Sequence, residues 1–280
     1  MDREDELIRL ALFGSPVEHS LSPRIHHLFA EQAGLPIEYR AIAASAESLA
    51  DELRALAAAG GRGCNVTVPL KSVAYDLARH HSERARRARA ANTLVFQGAN
   101  AWRAEMTDGV GLLRDLQDNL SLAVAGRRIL LLGAGGAASG VLHDLLAASP
   151  ARIEVCNRHP ARAAALVRRF AAGGILAGLD LAQASAAGCD LVINATSAGH
   201  RGQLPILPAG LEGFDGTLYD MNYGLAAEPL RQWCAQQGLN YVDGLGMLVE
   251  QAAASFHLWT GFQAATRPVI DRLRTAASAA

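Results

Sequence analysis

The sequence predicts an α/β protein of two domains, each built on a mostly parallel sheet, with the second domain a Rossmann-type dinucleotide fold. Short apolar runs alternate with helical patterns along most of the chain, which is how βα units read. The stretch GAGGAA, residues 133–138, stands between an apolar strand and a helix, where a dinucleotide fold carries its glycines. Two closing helices have no strand after them, so they fold back on the first domain.

The first series runs RLALFG, SPRIHHLFAEQAG, IEYRAIA, AESLADELRALAAAG and RGCNVTVP, strand and helix in turn, and ends in the helix KSVAYDLARH opened by Lys71. NTLVFQG and AWRAE then form a hairpin with Gln97 to Ala99 as its turn. TDGVGLLRDLQDNL sets Leu113, Leu116 and Leu120 at helical spacing behind Thr107 as N-cap, a helix suited to join two domains. The second series opens with RRILLL, feeds GAGGAA and ASGVLHDLLAAS, and continues with strands ARIEVCN, CDLVINA and TLYDMN. Helices such as PARAAALVRRF and EPLRQWCAQQG separate them. GMLVEQAAASFHLWTGF and PVIDRLRTAASA close the chain. The expected division is residues 1–106 for a first domain, 107–244 for the Rossmann domain with its connecting helix, and 245–280 returning to the first.

The 280 residues are half hydrophobic, enough for a substantial core. A net charge of −1 and a pI of about 6.8 provide no overall positive field, so neither nucleic acid nor an anionic membrane is an expected partner. The basic run HSERARRARA, with Arg84, Arg86, Arg87 and Arg89, reads as a solvated helix face. Cys64, Cys156, Cys189 and Cys234 form no C-x-x-C pair and read as reduced core thiols. The acidic start MDREDELIRL lacks a secretory pattern and no apolar run approaches the ~20 residues of a membrane span, so a cytoplasmic location is expected. Monomer and homodimer both remain open, and no residue is assigned to a metal.

In GAGGAA the first glycine, Gly133, permits a tight turn and the second, Gly135, lets a pyrophosphate approach the backbone at a helix N-terminus. The second strand of that unit ends in CNRHPAR, where an acidic residue would accept from a free ribose 2′-hydroxyl. Asn157, Arg158 and Arg162 stand there instead, and guanidinium groups suit a 2′-phosphate, so NADP is favoured over NAD. In HSLSPRIH, Ser22 reads as an N-cap before Pro23, and with Ser20 it offers hydroxyls beside free helix amides for a small carboxylate. Lys71 is electrostatically misplaced at a helix start. With Asp108, Asn65, Thr67 and Asn92 it forms a polar set able to hold a polyhydroxylated ring, the lysine placed to move a proton.

These stretches, with AANTL, TDGVGLL, INATSAG, DMNYG and DGLGMLVEQAA in the same order, make the chain similar to the shikimate dehydrogenase family, NADP-dependent enzymes of aromatic amino-acid biosynthesis. The resemblance spans nearly the whole length. It implies that Lys71 and Asp108 are the catalytic pair, and that Ser20, Ser22, Thr67, Asn92, Tyr223 and Gln251 hold shikimate. It further implies that Gly133, Ala134, Gly135, Gly136, Ala137, Asn157, Arg158, Arg162, Met221 and Gly244 hold NADP, with Glu83 a weaker candidate. Helical spacing puts Met247 and Gln251 on one face, so the same helix can aim an amide at a cleft while packing elsewhere.

The chain departs from the family pattern at Met106, where asparagine is usual, at His159, where threonine is usual, and at Glu228, where threonine is frequent. Met106 is expected beside the substrate pocket as a local packing change that tunes substrate preference. It keeps a quinate/shikimate or aminoshikimate dehydrogenase open as an alternative. A catalytically idle NADP-binding sensor is the alternative from another class, and retention of both Lys71 and Asp108 argues against it.

Overall fold

The computed structural model describes residues 7–98, 101–170 and 173–278. They form two compact units, the first containing residues through Leu112 and from Leu248 onward, the second Leu113–Met247. Both cuts fall later than the sequence suggests, each inside a helix. Asp108 therefore stays in the unit of Lys71, to which its side chain is tied.

The first unit runs β1 (Ile8–Gly14), α1 (Ser22–Ala33), β2 (Ile37–Ala43), α2 (Leu49–Ala58), β3 (Gly61–Val66), α3 (Lys71–Leu77), β4 (His80–His81), α4 (Glu83–Ala88), β5 (Thr93–Phe96), β6 (Trp102–Glu105) and α5 (Asp108–Arg114), the last crossing the cut. Its sheet has the order β2-β1-β3-β5-β6-β4. Pairing is parallel at β1/β2, β1/β3 and β4/β6 and antiparallel on both sides of β5. The hairpin β5/β6 is closed by the Gln97 amide donating to the Ala101 carbonyl; Ala99 of the expected turn lies outside the described residues. Along β1, Ile8, Leu10 and Leu12 pack with Val17 and Tyr39, while Ala11 and Phe13 pack with Leu49, Leu53 and Val66 on the opposite face. Burial on both faces explains the continuous apolar run of residues 10–13 after Arg9.

The second unit begins with a π-helical turn, Asp115–Asn119, followed by β7 (Arg128–Leu132), α6 (Gly136–Ala147), β8 (Arg152–Asn157), α7 (Pro160–Phe170), β9 (Leu176–Asp180), β10 (Leu191–Asn194), β11 (Thr217–Asp220), α8 (Glu228–Gln237) and β12 (Asn240–Val242). All pairings are parallel in the order β12-β11-β10-β7-β8-β9. Counted from β7, this is the dinucleotide-fold order 3-2-1-4-5-6, with its switch point between β7 and β10. The edge strands β9 and β12 are not expected from the sequence. LAGLD and NYV are short and weakly patterned, and pairing with β8 and β11 fixes them as strands. Gly178 in β9 is needed for close packing, since a Cβ there would lie 3.1 Å from the Ala163 backbone of α7.

The chain returns to the first unit through α9 (Leu245–Thr260) and α10 (Arg267–Ser278). Trp259 on α9 donates its indole N–H to the Leu94 carbonyl at 3.0 Å, and Gln32 of α1 exchanges two hydrogen bonds with the backbone of Ala265. Among the described residues no helix is long and apolar enough to cross a membrane.

Candidate active site

In the first unit, two loops at the carboxyl ends of neighbouring parallel strands are laced together. The Thr67 amide donates to the Phe13 carbonyl and the Ser15 amide to the Val68 carbonyl. The loop after β1 thereby carries Ser20 and Ser22 toward α1, and the loop after β3 carries Thr67 toward Lys71. Ser22 is the first residue of α1 rather than its N-cap. The cap-like bond comes from Ser20, whose Oγ accepts the Ser22 amide at 3.2 Å and donates to the Ser22 hydroxyl at 3.2 Å. Pro23 stands in the first turn, where its fixed φ suits helix entry, and the N-cap position is Leu21.

Lys71 opens α3 and Asp108 opens α5, and their side chains meet: Lys71 Nζ donates to Asp108 Oδ2 at 2.5 Å, with only 15% and 7% of the side chains exposed. The misfit of a cation at a helix start is thus answered by a carboxylate from the start of another helix. Asn92 locks the carboxylate from its other side: the two protons of Nδ2 are shared among Asp108 Oδ1 at 2.7 Å, Thr107 Oγ1 at 2.8 Å and Gln251 Oε1 at 3.1 Å. Its Oδ1 accepts the Thr107 amide at 2.9 Å. The Lys71 carbonyl accepts from the Ala91 amide, so the loop holding Asn92 is also fastened to α3. The Thr107 hydroxyl, expected to cap α5, serves this network instead.

Asn65 lies beneath this set rather than in it. The two protons of its Nδ2 are shared among the Asn92 carbonyl, Thr93 Oγ1 and Ser255 Oγ, each at 3.1 Å. A carbonyl only accepts, so the amide orientation is fixed and Oδ1 faces Tyr39, whose hydroxyl donates to it at 2.7 Å, and His26 Nε2 at 3.2 Å. His26 therefore carries its proton on Nε2. Burial pushes its pKa down to about 3, so it is neutral, stacked on Tyr39 with centroids 4.3 Å apart. Both ends of the Asn65 amide are engaged, as are those of Asn92 and Gln251, and Asn65 ties the Asn92 backbone to Tyr39 and His26. Sequence reading missed His26, Tyr39, Thr93 and Ser255; the only available signal was Gln251 and Ser255 at i, i+4 on α9.

In the second unit, the GAGGAA turn leads from β7 into α6. Gly133 has φ +106°, and a Cβ there would also lie 3.1 Å from the Ala195 carbonyl oxygen after β10. Among the described residues, no atom beyond the adjoining chain lies within 4 Å of where a Cβ on Gly135 or Gly136 would stand, which leaves room for a ligand to approach the backbone there. Ala134 and Ala137 complete the turn and the first helical residues. At the end of β8, Asn157 Nδ2 donates to the His159 carbonyl at 3.1 Å, and Arg158 and Arg162 are exposed at the entry to α7. A first glycine that a side chain would obstruct, an open helix start and exposed guanidinium groups at the second strand end fit a dinucleotide with a 2′-phosphate. Met221 and Gly244 are neighbours, a Cβ on Gly244 falling 2.5 Å from the Met221 carbonyl oxygen.

Tyr223 is half-buried after β11 in the second unit, whereas Ser20, Ser22, Thr67, Asn92 and Gln251 are in the first. Glu83 belongs to the first unit, unlike the other dinucleotide candidates, and pairs with Arg86 at 2.8 Å and Arg87 at 3.0 Å on its own helix. Met106, 1% exposed, is packed in the core with Leu94, Ala91 and Leu70. His159 is exposed, and Glu228 pairs with Arg231 in the first turn of α8. Cys64, Cys156, Cys189 and Cys234 are free thiols, and burial pushes Cys156 and Cys234 up to about 12.

A parallel six-stranded dinucleotide fold joined in one chain to a buried lysine–carboxylate site defines a nicotinamide-dependent oxidoreductase. Family models match three segments: "Shikimate dehydrogenase substrate binding domain" at residues 12–94, "Shikimate / quinate 5-dehydrogenase" at 115–203 and "Shikimate 5'-dehydrogenase C-terminal domain" at 244–274. The chain is 46% identical over 266 residues to the shikimate dehydrogenase (NADP(+)) of Methylococcus capsulatus, covering 95% of each chain. It is 48% identical over 267 residues to that of Thioalkalivibrio sulfidiphilus, covering 95% of this chain and 98% of the relative. The crystal structure of shikimate 5-dehydrogenase from Thermus thermophilus in complex with NADP(H) and shikimate superimposes with a TM-score of 0.79 at 32% identity, covering 96% of this chain and 99% of the other. The chain belongs to the shikimate dehydrogenase family.

Proposed function

We propose that this chain is a cytoplasmic, NADP-dependent shikimate dehydrogenase that reversibly reduces 3-dehydroshikimate to shikimate in chorismate and aromatic amino-acid biosynthesis. The observation that carries the reading is the Lys71–Asp108 pair, buried together and held by Asn92, in a chain whose relatives bear that name. The first unit is the substrate domain and the second the NADP-binding domain. Ser20 and Ser22 take the substrate carboxylate; Thr67, Asn92, Gln251 and Tyr223 take ring hydroxyls.

NADPH, when bound, supplies the hydride that reduces the ring carbonyl. Lys71 Nζ delivers the proton to the oxygen formed there and recovers it in the oxidative direction. Asp108 keeps the ammonium oriented toward the substrate, and Asn92 keeps Asp108 from rotating away. Asn65, held by Tyr39 and His26, positions the Asn92 backbone from below. Arg158 and Arg162 select the 2′-phosphate at the end of β8. The catalytic test is NADPH oxidation with 3-dehydroshikimate, followed by oxidation of shikimate and quinate with each cofactor. Absence of turnover with 3-dehydroshikimate would leave the sensor reading standing, and preference for quinate would move the chain to the quinate/shikimate branch.

A further inference from the structure

Asp220, the last residue of β11, is fully buried and joins the ends of three neighbouring strands. Its Oδ1 accepts from Asn194 Nδ2 at 2.9 Å, from the Asn222 amide at 3.0 Å and from Asn222 Nδ2 at 2.8 Å, while Oδ2 accepts from the Tyr241 hydroxyl at 3.3 Å. Each asparagine passes the constraint on. Asn194 Oδ1 accepts from the amide and the hydroxyl of Thr196, and Asn222 Nδ2 donates to the Thr196 carbonyl at 3.1 Å. The Met221 amide donates to the Asn194 carbonyl and the Gly244 amide to the Asn222 carbonyl. One carboxylate thus governs the loops after β10, β11 and β12, beside the switch point where the Gly133 turn packs on Ala195.

We propose that Asp220 is a positioning residue of the cofactor site, holding the Thr196, Met221 and Gly244 loops through Asn194 and Asn222 in the arrangement that receives NADP. The inference rests on the NADP-binding reading given above. A tie between strands is made at less cost by neutral side chains, because burying a carboxylate is unfavourable even when it is hydrogen-bonded. Burial pushes Asp220 up to about 6 despite its donors. What the ionised form adds is strength: hydrogen bonds to a charged acceptor are the strong ones, and here they bear on both asparagines at once. The titratable groups facing it are Cys234 of α8 and Tyr241 of β12, with Asp243 also acting on Tyr241. Burial pushes Cys234 up to about 12 and raises Tyr241 as well, so neither ionises near neutrality.

The test is equilibrium binding of NADP+ to the full chain, followed by calorimetry without turnover, for the wild type, Asp220→Asn and Asp220→Ala between about pH 5 and pH 8. Shikimate binding to the same proteins is the control for the other unit. Asp220→Ala should weaken NADP+ about tenfold or more, as expected when several charge-assisted bonds are lost. Asp220→Asn, which keeps the shape and serves if the alanine variant does not fold, should weaken NADP+ several-fold at the upper pH. That difference should vanish as pH falls through about 6, where wild-type Asp220 becomes neutral. The phosphate of NADP titrates nearby, but its effect cancels in the ratio of the two proteins. Wild-type affinity in Asp220→Asn at the upper pH, tighter binding in that variant, or a ratio independent of pH would each overturn the proposal. A wild type that binds shikimate but not NADP+ would instead overturn the cofactor reading on which it depends.

Discussion

The two candidate sites are built on opposite plans. Around Lys71 every named polar group is held by another, from Asp108 through Asn92 to Thr107, Gln251 and Ser255, and a further layer of Asn65, Tyr39 and His26 supports them. Around GAGGAA the contact surface is bare backbone and exposed arginine. The contrast fits the tasks proposed for them. A proton-transfer group must be fixed before the reaction, whereas a pyrophosphate is bound by amides that a helix start leaves unpaired and by charges that reach it through water. A substitution in the first region should therefore disturb chemistry or folding. One at an exposed arginine of the second should disturb affinity alone.

The largest expected effect is at Lys71. Lys71→Ala should lower turnover by ~10²–10⁴-fold, the usual loss on removing a general acid–base group, with a much smaller change in shikimate affinity. Steady-state kinetics on shikimate decide this, and wild-type turnover would remove Lys71 from the mechanism. At the dinucleotide site, Arg158→Ala should weaken NADP by roughly one to two powers of ten, the worth of ~1.5–3 kcal/mol for a bond to a charged group, while NAD use hardly changes. Added salt should weaken NADP more than NAD because this contact is exposed. Equal losses for both cofactors would make Arg158 a structural residue and erase the contrast between the regions.

Met106 sharpens the comparison from inside the first unit. Restoring the asparagine usual in the family places an amide where a fully buried thioether now packs, and ~1–3 kcal/mol of stability should be lost unless the amide finds partners. Denaturant melting measures it. A Met106→Asn protein of unchanged stability with altered shikimate/quinate preference would show that the position faces the substrate.

Asp220 offers a pH-dependent counterpart in the second unit. Its pKa is raised from 3.8 to about 6, so its contribution to stability is fully present below the lower value and is lost as pH rises through the upper one. Asp220→Asn should therefore gain on the wild type by an amount of order 2 kcal/mol between about pH 4 and pH 7. Thermal melts across that range would show it, and a constant difference would deny that Asp220 titrates there. The smallest effect is expected at Glu83, which is exposed and paired with Arg86 and Arg87. Glu83→Gln should cost at most ~0.5 kcal/mol of stability and leave NADP affinity within about twofold. A larger loss of affinity would assign Glu83 to the cofactor.

The sequence by itself determined the α/β class, the strand–helix alternation and the dinucleotide fingerprint, because these depend on local periodicity and on glycines that one stretch of chain must supply. It also presented Lys71 and Arg158 as chemistry, since each is a residue type at odds with its local place, and Asp108 through its pairing with that lysine. Tertiary structure decided the rest. Strands β9 and β12 exist because neighbours pair with them, and their own residues carry too little pattern to announce it. Asp108 meets Lys71 in a 2.5 Å ion pair within one unit, whose boundary falls inside α5. Asn65 is bonded to His26, Tyr39 and Ser255 from distant segments, and Met106 packs in the core. A buried polar group is read correctly only when all its partners are known, and those partners are brought together by packing across the chain rather than by spacing along it.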